Sequence, residues 1–335
     1  MKSRTITMVL LATAMLLSLV SVASAQKNPH TAGTPAAGFS GNTAKQGDIF
    51  LTAAYANASY GTGGTALRNR SQGVIQISGV TGTTQAAWLY WAVLLSNPSK
   101  TQLKDAAKVT LARQFPTGGV TSEALTGTLL AIGGDPCWGS SGAYVYRAAV
   151  NPAVANGNGT YKITLNKGAV GLSDGEDPWD GNVVFPLWEG ASLAIIGQGG
   201  SSVGVLDGQA GTTFVGGYSN FYELPATVGS GTQVLLDNFG YDGQIGDSRY
   251  GSASDETSNA EGWPSLTNNI LFAGPGGEVT DSDWDGSSGW PLPQLWDDTG
   301  HDISNAFLAG DTWVLVSYNA PYDCVGTVAA IVSVN

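Results

Sequence analysis

From residue 50 onward, apolar and polar side chains alternate with a period of two, in short runs bounded by Gly, Asn, Asp, Ser and Pro. The pattern is sharpest at Ala86–Leu95. Trp88, Tyr90, Ala92 and Leu94 fall on one face there, and Leu89, Trp91, Val93 and Leu95 on the other. Both faces are apolar, which predicts a central strand covered on both sides. The same reading predicts strands at Phe50–Tyr55, Gly73–Ser78, Leu125–Ile132, Ala143–Val150, Thr160–Leu165, Ser192–Gly197, Gln233–Phe239, Asn269–Phe272, Thr312–Tyr318 and Thr327–Val334. Forty-seven glycines and the lack of a sustained 3.6-residue period argue against long helices. Short helical turns are expected after Asn151-Pro152 and at Ile303–Leu308, the latter capped by Asp302 and stopped by Gly310. The fold class is therefore all-β: a jelly-roll-like β-sandwich, as one unit or two packed sandwiches, with few helical turns.

The ends set the organisation. Lys2 and Arg4 precede an apolar run from Met8 to Val22, and Ala23-Ser24-Ala25 follows. This is the pattern of a secretory signal peptide, residues 1–25, and it is too short for a permanent membrane span. Gln26 rather than Cys follows, so no lipid anchor is expected. Residues 26–47 carry few large apolar groups and read as a flexible N-terminal arm. The β-sandwich unit is expected over 48–335, with a weak seam near 199–212 where Gly, Ser and Gln crowd together.

Charge narrows the partners. The net charge is −12, and loss of Lys2 and Arg4 makes the chain more acidic. That sign disfavours nucleic acid and anionic membranes. Charged residues are only 12% of the chain, so the polar surface must be built from Ser, Thr, Asn, Gln and Gly. Such a surface suits a secreted, extracellular or cell-surface protein with hydroxyl-rich partners. Cys137 and Cys324, in an oxidising compartment, are expected to form one disulfide. Closing so long a loop contributes about 4–5 kcal/mol in the chain-entropy model.

Several segments resemble a group of secreted bacterial cell-surface proteins rich in β-structure. They are Ala87-Trp88-Leu89-Tyr90-Trp91-Ala92, Asp135-Pro136-Cys137-Trp138-Gly139, Tyr144-Val145-Tyr146-Arg147 and Gly190-Ala191-Ser192-Leu193. The resemblance implies an extracellular β-rich domain and no particular activity. It departs at Ala149, where that group often carries an acid.

Two acidic turns carry candidate chemistry. Asp281, Asp283 and Asp285 stand at alternate positions before Gly286, the first half of a calcium loop. Leu292 takes the place of the glutamate that an EF-hand requires, so distant oxygens such as Asp297 and Asp298 would have to complete it. Asp177 and Asp180 flank a second such turn. Tryptophans sit beside these acids: Trp179, Trp284, Trp290 and Trp296 are read as ligand platforms, in loop-like contexts shared by Trp188 and Trp263. An indole face stacks on sugar C–H groups while acids and amides take the hydroxyls. Trp88, Trp91 and Trp313 lie in predicted strands and read as core. Gly200-Ser201-Ser202-Val203-Gly204 matches a nucleophile elbow, but nothing after it can form the required helix, and His301 is the sole base outside the arm.

These observations predict a secreted, non-catalytic module, shaped by calcium, that binds carbohydrate or a surface protein through loop aromatics. The alternatives are a self-assembling structural subunit whose arm pairs with a neighbour's sheet edge, and an extracellular glycan hydrolase using two acids.

Overall fold

Alternation is realised as sixteen antiparallel strands among the described residues. The computed structural model describes residues 49–67, 70–135, 139–166, 185–208, 212–241, 269–281 and 296–335. The strands are β1 Ile49–Ala66, β2 Gln72–Ile77, β3 Thr84–Leu95, β4 Lys108–Gln114, β5 Val120–Thr126, β6 Thr128–Gly133, β7 Gly142–Ala149 and β8 Gly159–Leu165. They continue with β9 Leu187–Gln198, β10 Ser201–Gly208, β11 Thr212–Glu223, β12 Val234–Tyr241, β13 Asn269–Gly274, β14 Gly277–Asp281, β15 Trp296–Asp302 and β16 Trp313–Val334.

A small sheet has the order β2-β8-β4-β5. The large one runs β14-β13-β16-β10-β1-β9-β3-β7-β6, with β11 and β12 also pairing with β16, and β15 pairing with β12. All of these residues lie in one unit, Thr43–Asn335. No helix among them is long and apolar enough to cross a membrane.

The central strand β3 is buried on both faces, as its sequence requires. Leu89, Trp91, Val93 and Leu95 enter a core shared with Ile75, Leu111 and Ile163 of the small sheet. Tyr90, Ala92 and Leu94 enter a second core on the other side, against Val203, Val205, Phe239, Tyr241, Trp296 and Ile331. Those partners belong to β10, β12, β15 and β16, so the large sheet folds back over itself. A third core gathers Leu206, Leu236, Phe272, Val316 and Val332.

Several boundaries differ from the sequence reading. The strand expected over Leu125–Ile132 is broken at Gly127, where a Cβ would lie 2.4 Å from the Trp91 ring. The strands expected at Thr312–Tyr318 and Thr327–Val334 are one continuous β16. Within the segment 199–212, where a weak seam was expected, Ser201–Gly208 forms β10, which pairs with β1 on one side and β16 on the other. One turn follows Asn151, whose carbonyl accepts from the Val154 and Ala155 N–H groups. At the second expected turn only Ser304–Ala306 is helical, as a 3-10 turn whose N-cap is Ile303; the Asp302 carboxylate accepts the Ser304 N–H at 3.1 Å without being the cap residue.

One helix was not expected: α1, Lys100–Ala106. Its start is a reciprocal capping box, in which the Ser99 side chain accepts from the Gln102 N–H and the Gln102 side chain accepts from the Ser99 N–H. Ser99→Ala is expected to lower stability by about 1 kcal/mol. Urea unfolding checks this, and an unchanged midpoint would show that packing alone holds α1.

Candidate functional site

Where the large sheet folds over, β15 and β12 face β1 and β9 without a shared backbone ladder, and side chains bridge the seam. Tyr60 and Thr62 sit two apart on β1 and point to the same side as Leu235 and Asp237 of β12. The Tyr60 hydroxyl donates to Asp237 Oδ2, and Thr62 Oγ1 donates to Asp237 Oδ1 at 3.2 Å. On β15, Asp298 is the diagonal neighbour of Asp237, because Asp237 lies opposite Gly300 and Asp298 opposite Phe239. Hydroxyls of Ser192 and Thr62 hydrogen-bond Asp298. Beneath it, Trp296 Nε1 donates to Ser192 Oγ at 3.0 Å.

Two glycines permit this approach. A Cβ at Gly300 would stand 2.7 Å from Asp237 Oδ1, and one at Gly64 would stand 2.8 Å from Asp298 Cβ. Any side chain at either position would push the carboxyl pair apart.

Burial sets the protonation of the pair. Asp298 Oδ2 is shut off from solvent. Its carboxyl is pushed up from 3.8 to about 8, first by that burial and then by the nearby Asp237 charge. Burial also raises Asp237, against the hydroxyl bonds from Tyr60 and Thr62 and the pull of His301. Tyr60 is raised by burial and then by Asp237, so it stays a donor. Burial thus favours the protonated form of both carboxyls, beside a phenol that keeps its proton.

Beside Asp237 lies an open pocket of about 410 Å³, which Asp298 does not line. Its wall is formed by Ser59, Tyr60, Gly61 and Thr62 of β1, Ser78 and Gly79, Ser201 of β10, Leu235 and Asp237 of β12, Ser333 of β16, and Asn335. Ser333 also reaches Tyr60, and Ser201 donates to Asn335 Oδ1. The wall is thus mostly of hydroxyl-bearing residues, with one amide and one carboxyl residue, around a space large enough for a small ring.

A second polar cluster bridges the same fold at another point. Asp207 of β10 is 1% exposed and accepts from Tyr90 Oη at 2.7 Å and from Arg147 Nη1 at 2.5 Å. The Arg147 guanidinium lies over the Trp88 ring at 4.9 Å. This carboxylate is matched by a cation.

Of the residues proposed from sequence, Trp179, Trp284, Trp290, Asp177, Asp180, Asp283, Asp285 and Cys137 lie outside the described residues, as does Trp263. Asp281 ends β14 opposite Ile270, and Cys324 lies in β16 opposite Phe214, with neither side chain described. The reading of Trp296 as a ligand platform is corrected. It is 0% exposed, lies in a strand, and its ring fills the space over Gly190. Trp188 is likewise a buried strand residue. Trp313, read as core, is 42% exposed, because it stands on the open face of β16. Ser202 lies within β10 rather than at an elbow, and the His301 ring packs at 4.9 Å from Phe272. Asp297 is buried, and Asp298 belongs to the carboxyl pair. Among the described residues no three or more His, Cys, Asp or Glu side chains are grouped to hold a metal.

Tyr60, Thr62, Asp237 and Ser333 were not singled out from the sequence. Asp237 did leave a trace, as a charge inside the apolar strand Val234–Tyr241.

No family model matches the chain, and neither does any curated protein. Among solved structures it is similar to N-glycanase F (PNGase F), at 9% identity over 83% of this chain and 96% of that one, with a TM-score of 0.23. It is also similar to a protein crystallised in complex with neoagarooctaose, at 6% identity over 85% and 33% of the two chains, with a TM-score of 0.20. A third likeness is to infectious bursal disease virus Gx strain, at 6% identity over 87% and 72%, with a TM-score of 0.22. Likenesses of this degree establish neither a family nor an activity.

Proposed function

We propose that the chain is an exported binding module that seats a carbohydrate in the Tyr60–Asp237 pocket. The observation that carries this reading is the pocket wall itself, lined by the polar residues Tyr60, Thr62, Ser201, Ser333, Asn335 and Asp237. A sugar offers donors and acceptors on every carbon, and such a wall answers them in kind. The signal-peptide pattern and the sparsely charged composition support export. Calcium bound by Asp281, Asp283 and Asp285, and a Cys137–Cys324 disulfide, belong to the same proposal. So do loop contacts through Trp179, Trp284 and Trp290, which would add to the pocket rather than replace it.

The test is retention of the purified protein on insoluble polysaccharides and a glycan panel, with calcium and with chelator. Wild type is expected to be retained. Tyr60→Phe combined with Thr62→Val is expected to weaken binding about five- to tenfold, the worth of one or two hydrogen bonds. Retention that is unchanged in the double variant would take the ligand out of the pocket. Retention lost in chelator would assign calcium a part in it.

A further inference from the structure

We infer that the pocket selects a sugar bearing a free, protonated amino group, such as a glucosamine unit. This rests on the carbohydrate reading and narrows it.

The first reason is the charge around the pocket. Among the described residues Asp237 is the one carboxylate side chain in the wall, and no Lys, Arg or His lines it. His301 acts on Asp237 electrostatically from β15, but among the described residues its hydrogen bonds come from hydroxyls, those of Tyr60 and Thr62.

The second reason is the comparison inside the same fold. Asp207 is also buried and also receives a tyrosine hydroxyl, that of Tyr90, but its other partner is the Arg147 guanidinium at 2.5 Å. At Asp237 the tyrosine is present, a threonine hydroxyl stands where Asp207 has its arginine, and the residue lines the pocket. An ammonium placed there brings three N–H donors to the free lone pairs of Asp237 and of the neighbouring hydroxyls. The ring it belongs to is then in reach of Ser333, Ser201 and Asn335. The net charge of −12 favours approach of a cationic ligand over a neutral or anionic one.

The experiment is calorimetric titration of the whole protein at pH 6.5 with three trisaccharides: a glucosamine trimer, its fully N-acetylated form and a glucose trimer. The free-amine trimer is expected to bind at least tenfold more tightly than the other two. Asp237→Asn is expected to bring all three to one level. The comparison of trimers on wild type stands even if that variant does not fold. Equal affinity for the three would overturn the amine preference and leave the carbohydrate reading intact. Binding of none would overturn both. A preference that persists in folded Asp237→Asn would place the charge recognition elsewhere on this acidic surface and overturn the assignment to the pocket.

Discussion

The protein is expected to lose stability as pH rises from 4 to 9, and Asp298→Asn is expected to flatten most of that loss. The cause is a carboxyl that the folded chain holds protonated. Asp298 is raised from 3.8 to about 8, mainly by burial and secondarily by Asp237. Below the ordinary value both the folded and the unfolded chain carry the proton, and the protonated site contributes its full share. Above it the unfolded chain releases the proton while the folded chain keeps it, so each further rise in pH favours unfolding. The loss is complete once pH passes the folded value. A tenfold change in proton affinity is worth about 1.4 kcal/mol, which bounds the effect at about 6 kcal/mol. Asp237, raised for the same reason, acts in the same direction. Urea unfolding at pH 5, 7 and 9 measures it. A wild type equally stable at pH 5 and 9, with Asp298→Asn running parallel, would mean that the pair is hydrated and ionised, and the electrostatics of the seam would need another account.

This seam also marks the limit of what the sequence makes legible. Strand β3 was plain because both of its faces bury apolar groups, and hydrophobic burial is what a period of two reports. Strand β15 was hidden because Trp296-Asp297-Asp298-Thr299-Gly300-His301-Asp302 has the composition of an acidic turn. Its charges belong to the inside of the fold, where Asp298 meets hydroxyls from β1 and β9. Strand β16 looked like two strands because Pro321 interrupts it. The register jumps there, with Cys324 opposite Phe214 and Ala320 opposite Gly216, so the proline sits in a bulge that asks no ladder bond of it. Strand β10 was not read as a strand because Gly, Ser and Gln crowd together around it. Gly204 is small for packing, since a Cβ there would stand 2.8 Å from Leu51 Cδ1. The site itself joins Tyr60 to Asp237 across 177 positions. No local pattern records a contact made by the folding back of a sheet.

Trp296→Ala is the second substitution with a large expected effect, a loss of about 3–5 kcal/mol. The indole is wholly buried, and a Cβ at Gly190 would lie 2.4 Å from its ring, so β9 and β15 are fitted to one another around it. Truncation opens a cavity in the core shared with Tyr90, Phe239 and Ile331. It also strips Ser192 of the indole N–H it accepts, directly below the carboxyl pair. Trp313→Ala supplies the contrast. That ring is partly exposed and meets Phe221 edge-on at 5.0 Å, so its removal is expected to cost about 1 kcal/mol. Urea midpoints of the two variants, read beside glycan retention, separate packing from recognition. A Trp296→Ala protein of near wild-type stability that has lost its glycan would restore the tryptophan as a binding platform, and the packing assigned to it here would fall.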